Sequence, residues 1–352
     1  MRARDVARAV GVVAVVAAVV VAAAYAGGAV LSAPSGVGDA PDAPAYDTGA
    51  LATGPVEDDG EVTAPSGGES KTVVFDVSHG NDVSENDVQP VVDALVAAGH
   101  EVRFYAGSES SFGASQGASP FNETLRGADA LVVVSPSTAY TDAESDGVEA
   151  FADAGGRVLL AANPPATAAT ETTVSLPGLS TESAASAAGQ PANLAARFDV
   201  TFGAGYLYDM GENGNNFQRV YAGGDGGGVA EGVERAVLLD ATPLRTGPDA
   251  SAVLSAEAAS SETREDGTYA VAARNGNVLA VGDADVLTAG VATDGDNDAF
   301  VSNVAAFLVS GDKEAGAPSG GQGGGQPGGQ PGGGAGNSTQ PTPTARLAPG
   351  LA

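Results

Sequence analysis

Cysteine is absent from the 352 residues. That excludes disulfides, thiolate metal sites and a thiol nucleophile. Tryptophan is absent too, and aromatic residues make up only 5% of the chain. Lysine occurs only as Lys71 and Lys313, and histidine only as His79 and His100. Acids outnumber bases 44 to 15, which gives a formal net charge of −29. Nucleic-acid binding wants a basic stripe, and this chain offers none, so no nucleic-acid partner is expected. The acids are spread through loops and helix faces rather than gathered in one tail. At molar salt the Debye length falls to about 3 Å and such self-repulsion is screened. The charge therefore says more about solvent than about partners.

Basic and apolar residues are concentrated at the start. Residues 1–8 carry Arg2, Arg4 and Arg8, and residues 9–31 form an uncharged run, "AVGVVAVVAAVVVAAAYAGGAVL". A hydrocarbon core needs about 20 helical residues. The run predicts a single transmembrane helix, with residues 1–8 inside the cell and the main domain outside. A cleaved signal peptide ending near "AYA" is the competing reading, but the length favours an uncleaved anchor. The bilayer is then the first expected partner. Residues 32–70 are rich in Ala, Pro, Gly and Asp and predict a flexible linker. Residues 313–352 are a Gly/Gln/Pro-rich tail that cannot bury enough apolar surface to order. Two triplets, at Asn122 and Asn337, match a glycosylation acceptor.

What remains, residues 71–312, alternates strand and helix signals. "TVVFDV", "EVRFYA", "ALVVVSP" and "RVLLAANPP" read as buried strands. Between the first two, Val88, Val91, Val92, Leu95 and Val96 fall at helical spacing. "DAESDGVEAFADAGG" reads as a helix between the third and fourth. Alternation of this kind predicts an α/β domain with a doubly wound, mostly parallel sheet. Later segments, with a hairpin signal at Asn275–Gly276, predict an antiparallel extension. "DNDAFVSNVAAFLVSG" predicts an amphipathic closing helix capped by Asp298. Thr167–Gln190 reads as a mobile Ser/Thr/Ala insertion.

The ordered series "FDVSHGN", "ALVAAGHEV", "ADALVVVSP", "FADAGGRVLLAANP", "LYDMGENGNNFQRVYA", "VLAVGDADVL" and "DNDAFVSNVAAFL" resembles the DUF4350 family, here of a halophilic archaeal type. The resemblance covers Lys71 to about Gly311. It implies a class I glutamine-amidotransferase-like or flavodoxin-like fold, related to auxiliary domains of gliding-type ABC transport systems. Membrane transporter subunits are therefore possible partners. The family has no established reaction. True amidotransferases carry a cysteine after a central strand, where this chain has Asn163–Pro164, so that chemistry is absent.

In open α/β sheets, ligands sit beyond the carboxyl ends of the strands. That rule selects Asp76, Ser78, His79 and Asn81 after the first strand, then Ser135, Ser137 and Tyr140 after the third. It adds Asn163 after the fourth, and Asp283 and Asp285 after a late strand. These are expected to converge on one rim. Tyr208, Asn216 and Arg219, with Tyr206 and Asn215, lie in a second polar and aromatic stretch suited to a sugar or peptide. Asp76 and His79 would serve a hydrolase as acid and base. The alternative, which the sequence favours, is a histidine that ties down its own loop. Asp294, Asp296 and Asp298 alternate in a calcium-like way, but Ala299 and Ala305 stand where an EF-hand needs Gly and Glu. A solvated acidic loop is expected there, with no metal and no cofactor. The expected function is a membrane-anchored, extracytoplasmic, non-catalytic module that binds a polar surface ligand or scaffolds a membrane complex. A hydrolase acting on external glycan or peptide is the alternative.

Overall fold

The computed structural model describes residues 15–20, 60–81, 83–107, 119–165 and 189–318. Residues 15–20 are helical, and the rest of the expected span at 9–31 lies outside the described residues. Among the described residues no helix is long and apolar enough to cross a membrane. Most of the 32–70 linker, Asp82, residues 166–188 of the expected insertion, residues 319–352 of the expected tail and Asn337 also lie outside them. The fold is that of the unit Pro55–Ala352.

Twelve strands form one mixed sheet. They are β1 (Thr72–Asp76), β2 (Glu101–Tyr105), β3 (Ala130–Val134), β4 (Arg157–Ala161), β5 (Val200–Phe202) and β6 (Leu207–Tyr208). Then come β7 (Arg219–Gly224), β8 (Ala236–Leu239), β9 (Leu244–Thr246), β10 (Ser251–Ser260), β11 (Asp266–Asn275) and β12 (Val278–Val281). Five helices accompany them: α1 (Gln89–Ala97), α2 (Pro120–Arg126), α3 (Asp142–Asp153), α4 (Ala192–Ala195) and α5 (Asn297–Val309). The main path runs β2-β1-β3-β4-β12-β11-β10-β7-β8.

Two predictions are corrected here. The sheet is not the doubly wound, mostly parallel layer of a glutamine-amidotransferase-like or flavodoxin-like fold, and no membrane-spanning helix precedes it among the described residues. Only four pairings are parallel (β2–β1, β1–β3, β3–β4 and β4–β12). The other seven are antiparallel. The physical reason lies in the second half of the chain. The ten-residue strands β10 and β11 pair along their length and recruit β6, β7, β9 and β12, all antiparallel. Short connections allow only antiparallel pairing, whereas a parallel pair needs a crossover.

Alternation along the buried strands sends side chains to two faces. Val73 and Phe75 of β1, Val132 of β3 and Leu279 of β12 meet α1 and α5 through Leu95, Phe300 and Val304. Val74, Leu131, Val133 and Leu160 point the other way, onto Phe121, Leu125, Val148 and Phe151 of α2 and α3. Residues 60–70 lie along the domain: Val62 and Ala64 pack on the first face, and His100 Nε2 bonds the Pro65 carbonyl at 3.0 Å. Past α5, Lys313 Nζ donates to the Arg126 carbonyl. The N-cap position of α5 is Asp296, which makes no side-chain cap bond, and Asp298 lies in the first turn rather than capping the helix.

Candidate functional site

Two loops meet above the carboxyl ends of β1 and β3. The loop after β1 turns at Gly80, whose φ of 62° is the left-handed region that suits glycine, and a Cβ there would collide with Ser137 Oγ. The amides of Ser137 and Thr138 donate to the His79 carbonyl at 3.1 and 2.9 Å. Asn81 accepts from the His79 amide at 3.0 Å and donates to the Val134 carbonyl at 3.0 Å. Asp76, Ser78, His79, Asn81, Ser137 and Tyr140 thus come together as expected from the strand-end rule.

At the centre, Asp76 is 1% exposed and His79 is 8% exposed. His79 Nδ1 donates to Asp76 Oδ2 at 2.7 Å, and Nε2 lies 3.5 Å from Glu144 Oε2. Tyr140 donates its hydroxyl to the same Asp76 oxygen and stacks its ring on His79 at 3.8 Å between centroids. Ser78 donates from both its amide and its hydroxyl to Asp76 Oδ1 at 3.0 and 2.6 Å. Glu144 is held in turn by a capping box at the start of α3. It accepts from the Thr141 amide and hydroxyl at 2.9 and 2.7 Å, and Thr141 Oγ1 accepts from the Glu144 amide.

The electrostatics follow from this packing. Burial works against a charged His79, but the hydrogen bonds to Asp76 and Glu144 outweigh it and push the imidazolium up to about 9. The bond from His79 holds the Glu144 carboxyl down at about 2, against a smaller burial effect. Burial opposes the Asp76 charge as well, yet donors from His79, Ser78 and Tyr140 keep its carboxyl below the ordinary value. Burial, and then the Asp76 charge, drive the Tyr140 phenol well above its usual range.

This arrangement is poor acid–base machinery. An acyl-transfer triad sets a nucleophile on one ring nitrogen and a carboxylate on the other. Here both nitrogens face carboxylates, and the Ser78 hydroxyl is on the Asp76 side, 3.1 Å from Nδ1. His79, Asp76 and Glu144 act as a lock between the β1 loop, the β3 loop and α3.

Beside the lock, and separate from it, a crevice of about 340 Å³ opens at the carboxyl ends of β3, β4 and β12. Ser135, Asn163 and Asp285 line it, with Asp87 from the turn before α1. Ser135 is 8% exposed, and its hydroxyl has no hydrogen-bond partner among the described residues. Its φ of 41° is left-handed although a proline follows, where extended backbone is the rule. Asn163 accepts from the Ala284 amide at 2.7 Å and donates to Asp285 at 3.2 Å. Asp283 does not line the crevice. It is fully buried and accepts from the Leu239 and Asp285 amides at 2.6 and 2.8 Å. Burial, then the Asp285 charge, push its carboxyl well above the ordinary value.

The remaining candidates lie elsewhere. Tyr208 sits on β6 opposite Ala259 and lines a hollow beside β10. Asn216 accepts from the Gln218 amide, and Arg219 lies 3.4 Å from Asp294. Asp296 accepts from the Glu234 and Arg235 amides at 2.9 and 2.6 Å. Asp298 packs against Gly60. The three alternating aspartates thus turn to different partners, and among the described residues no group of three potential ligands comes together. Asn122 donates its amide to the Ala143 carbonyl and packs against Gly147, so a glycan there would have to break the α2–α3 contact. Sequence reasoning missed Glu144 and Asp87. The T-x-x-E of Thr141–Glu144 signals a cap, and nothing local signals its second partner.

The fold and the site define a mixed-sheet domain with a ligand-sized crevice over its parallel strands. Residues 113–305 match the family described as a domain of unknown function, DUF4350, which is more than half of the chain. The chain belongs to that family. None of the curated proteins matches. The mmIFT52 N-terminal domain is similar in fold, with a TM-score of 0.50 and 13% identity over 69% of this chain and 99% of that one. Alpha-L-fucosidase isoenzyme 2 from Paenibacillus thiaminolyticus aligns at a TM-score of 0.39 and 14% identity, over 69% of this chain and 33% of that one. A putative ThuA-like protein from Parabacteroides merdae aligns at 0.40 and 11%, over 67% and 89%.

Proposed function

We propose that this chain is a non-catalytic binding module that takes a small polar molecule in the crevice over β3, β4 and β12. One observation carries the reading: the polar side chains of Ser135, Asn163 and Asp285 line a cavity of ligand size at the carboxyl ends of the parallel strands. Polar side chains gathered with an apolar wall on a recess of this size suit a small polar ligand. The hydrolase reading loses its support in the same geometry, because the His79 nitrogens are both engaged by carboxylates.

A thermal-shift screen of polar small molecules tests the module. Compounds that raise the midpoint of the native chain should fail to do so with Thr288→Phe, which fills the crevice from its rim. A panel of ester, glycoside and peptide substrates should show no turnover. Hydrolysis that disappears in His79→Ala would overturn the proposal.

A further inference from the structure

The two histidines are held in opposite ways. His79 lies between two carboxylates, whereas among the described residues no carboxylate lies within ion-pair distance of the His100 ring. His100 is nearly buried in the turn between α1 and β2, and both of its nitrogens meet backbone. Nδ1 accepts from the Lys71 amide at 3.2 Å, and Nε2 donates to the Pro65 carbonyl at 3.0 Å. An amide only donates and a carbonyl only accepts, so these partners fix a neutral ring with its proton on Nε2. We propose that residues 60–70 are an acid-released strap, docked while His100 is neutral and freed when Nδ1 takes a proton from solvent.

The strap is lightly held. Among the described residues, 60–70 make no backbone-to-backbone hydrogen bond. Val62 and Ala64 pack on the face formed with α1 and α5, and the Thr63 amide donates to Ser302 Oγ of α5 at 2.9 Å. The Ser70 hydroxyl donates to the Gly99 carbonyl at 2.8 Å. The Pro65–His100 bond is the tie between those two ends. Gly67 and Gly68 follow it, each with open space where a side chain would stand, so the chain can bend beside the tie. A proton on Nδ1 would face the Lys71 N–H, leaving two donors without an acceptor. Charged groups on the surrounding elements do not relieve this. Glu101 of β2 pairs with Arg103, and Lys71 pairs with Asp312. Asp129, before β3, accepts from the Thr72 amide. Asp93 of α1 and the strap's own Glu61 and Glu69 are exposed, and Asp298 of α5 packs against Gly60. The docked strap excludes a proton that the released strap accepts, so docking is lost as pH falls. Histidine is the side chain whose charge changes between about pH 5 and 8. Once free, residues 60–70 can extend to about 35 Å between the domain and the chain before it. The apolar ground beneath Val62 and Ala64 is then uncovered.

The chain has no cysteine, so spin labels on Ser66→Cys and Asp93→Cys, both exposed positions, are unique in the full chain. Distances between them, measured at pH 8 and pH 5 in one fixed salt, read the strap against α1. One narrow distribution should hold at pH 8, and a broad, longer one should appear at pH 5. The ratio of released to docked strap should rise about tenfold, the equivalent of one lost hydrogen bond. His100→Gln offers a donor for the Pro65 carbonyl, and His100→Asn offers an acceptor for the Lys71 amide; neither side chain titrates. Whichever variant folds should give the same distribution at both pH values. A native distribution that does not change with pH would overturn the proposal. So would a histidine variant that responds to acid as the native chain does, since the sensor would then be a carboxylate. Circular dichroism at pH 5 completes the test: loss of the whole fold together with the strap would also overturn it.

Discussion

His79 Nδ1 lies 2.7 Å from Asp76 Oδ2, with Asp76 sealed from solvent and the far ring nitrogen turned to Glu144. A carboxylate on each side of one imidazolium makes a charged lock rather than a proton relay. It joins two strand-end loops to the first turn of α3, and so fixes the floor on which the neighbouring crevice is built. Breaking one side of such a buried set leaves an uncompensated charge.

Stability should therefore depend on pH with a defined sign. The His79 value rises from 6.5 in the unfolded chain to about 9 in the fold. Its contribution is fully present below 6.5 and is lost as pH rises through about 9. That difference corresponds to about 3 kcal/mol at most. The Glu144 value falls from 4.5 to about 2, so its contribution is present above 4.5 and is lost as pH falls through about 2. Urea unfolding between pH 6 and 10 should show the alkaline loss in the native chain and a flatter profile in His79→Gln. An identical slope in the two chains would contradict the lock.

Tyr140 tests the lock at neutral pH. Tyr140→Phe keeps the ring stacked on His79 and removes the donor to Asp76 together with the oxygen that the Asn81 side chain meets. A hydrogen bond to a charged group contributes about 1.5–3 kcal/mol. Tyr140→Phe should cost about 2 kcal/mol on that scale, measured by urea unfolding at pH 7. In a His79→Gln background the cost should be smaller, since the two donors share one carboxylate oxygen. A cost that is the same in both backgrounds would mean the groups are not coupled.

Some of this was legible from residue order alone. Apolar runs located β1 to β4, helical spacing located α1 and α3, and Asn275–Gly276 located the β11–β12 turn. Pairing direction was not legible, because it is decided by contacts between segments. β6 lies within "LYDMGENGNNFQRVYA" and β7 begins in it, and its Gly and Asn residues mask two short strands that pair with β10 and β8. The site was half legible. The strand-end rule found Asp76, His79, Ser135 and Asn163, but placed them on one rim. They divide because the His79 ring turns in against Tyr140 while Ser135 lines the open crevice. Ser135 also takes a left-handed turn that no local signal announces, since a residue before proline is ordinarily extended.

Asn297 seals an edge of the sheet. It is fully buried, accepts from the Val237 amide at 2.9 Å, and donates to the carbonyls of Val237 and Val291 at 2.7 and 2.8 Å. Val237 belongs to β8, the last strand of the path, so the side chain takes the place of a further strand. Leucine would fill the space and leave the Val237 amide and carbonyl without their partner, whereas the Val291 carbonyl keeps the Asp294 amide at 3.0 Å. Each such group costs about 1–3 kcal/mol. Asn297→Leu should lower the unfolding free energy by at least about 2 kcal/mol, and the Val237 amide should exchange faster with deuterium. A loss below about 1 kcal/mol, with protection of that amide unchanged, would remove the edge-sealing role.

Ser135 sets stability against binding. A non-glycine residue held at positive φ costs about 1–3 kcal/mol, and glycine at such a position is free of that cost while adding about 0.5–1 kcal/mol of unfolded-state entropy. Ser135→Gly should therefore raise the unfolding free energy by about 1 kcal/mol. Ser135→Ala keeps the Cβ and the strain and should leave stability near the native value. Both variants lose the unpaired hydroxyl, so both should lose affinity for whatever occupies the crevice. The two readouts separate the causes: stability should follow the backbone and distinguish glycine from alanine, whereas affinity should follow the oxygen and treat them alike. If Ser135→Gly were no more stable than Ser135→Ala, the left-handed turn would not be a source of strain. If it were more stable and bound as well as the native chain, the hydroxyl would have no part in recognition.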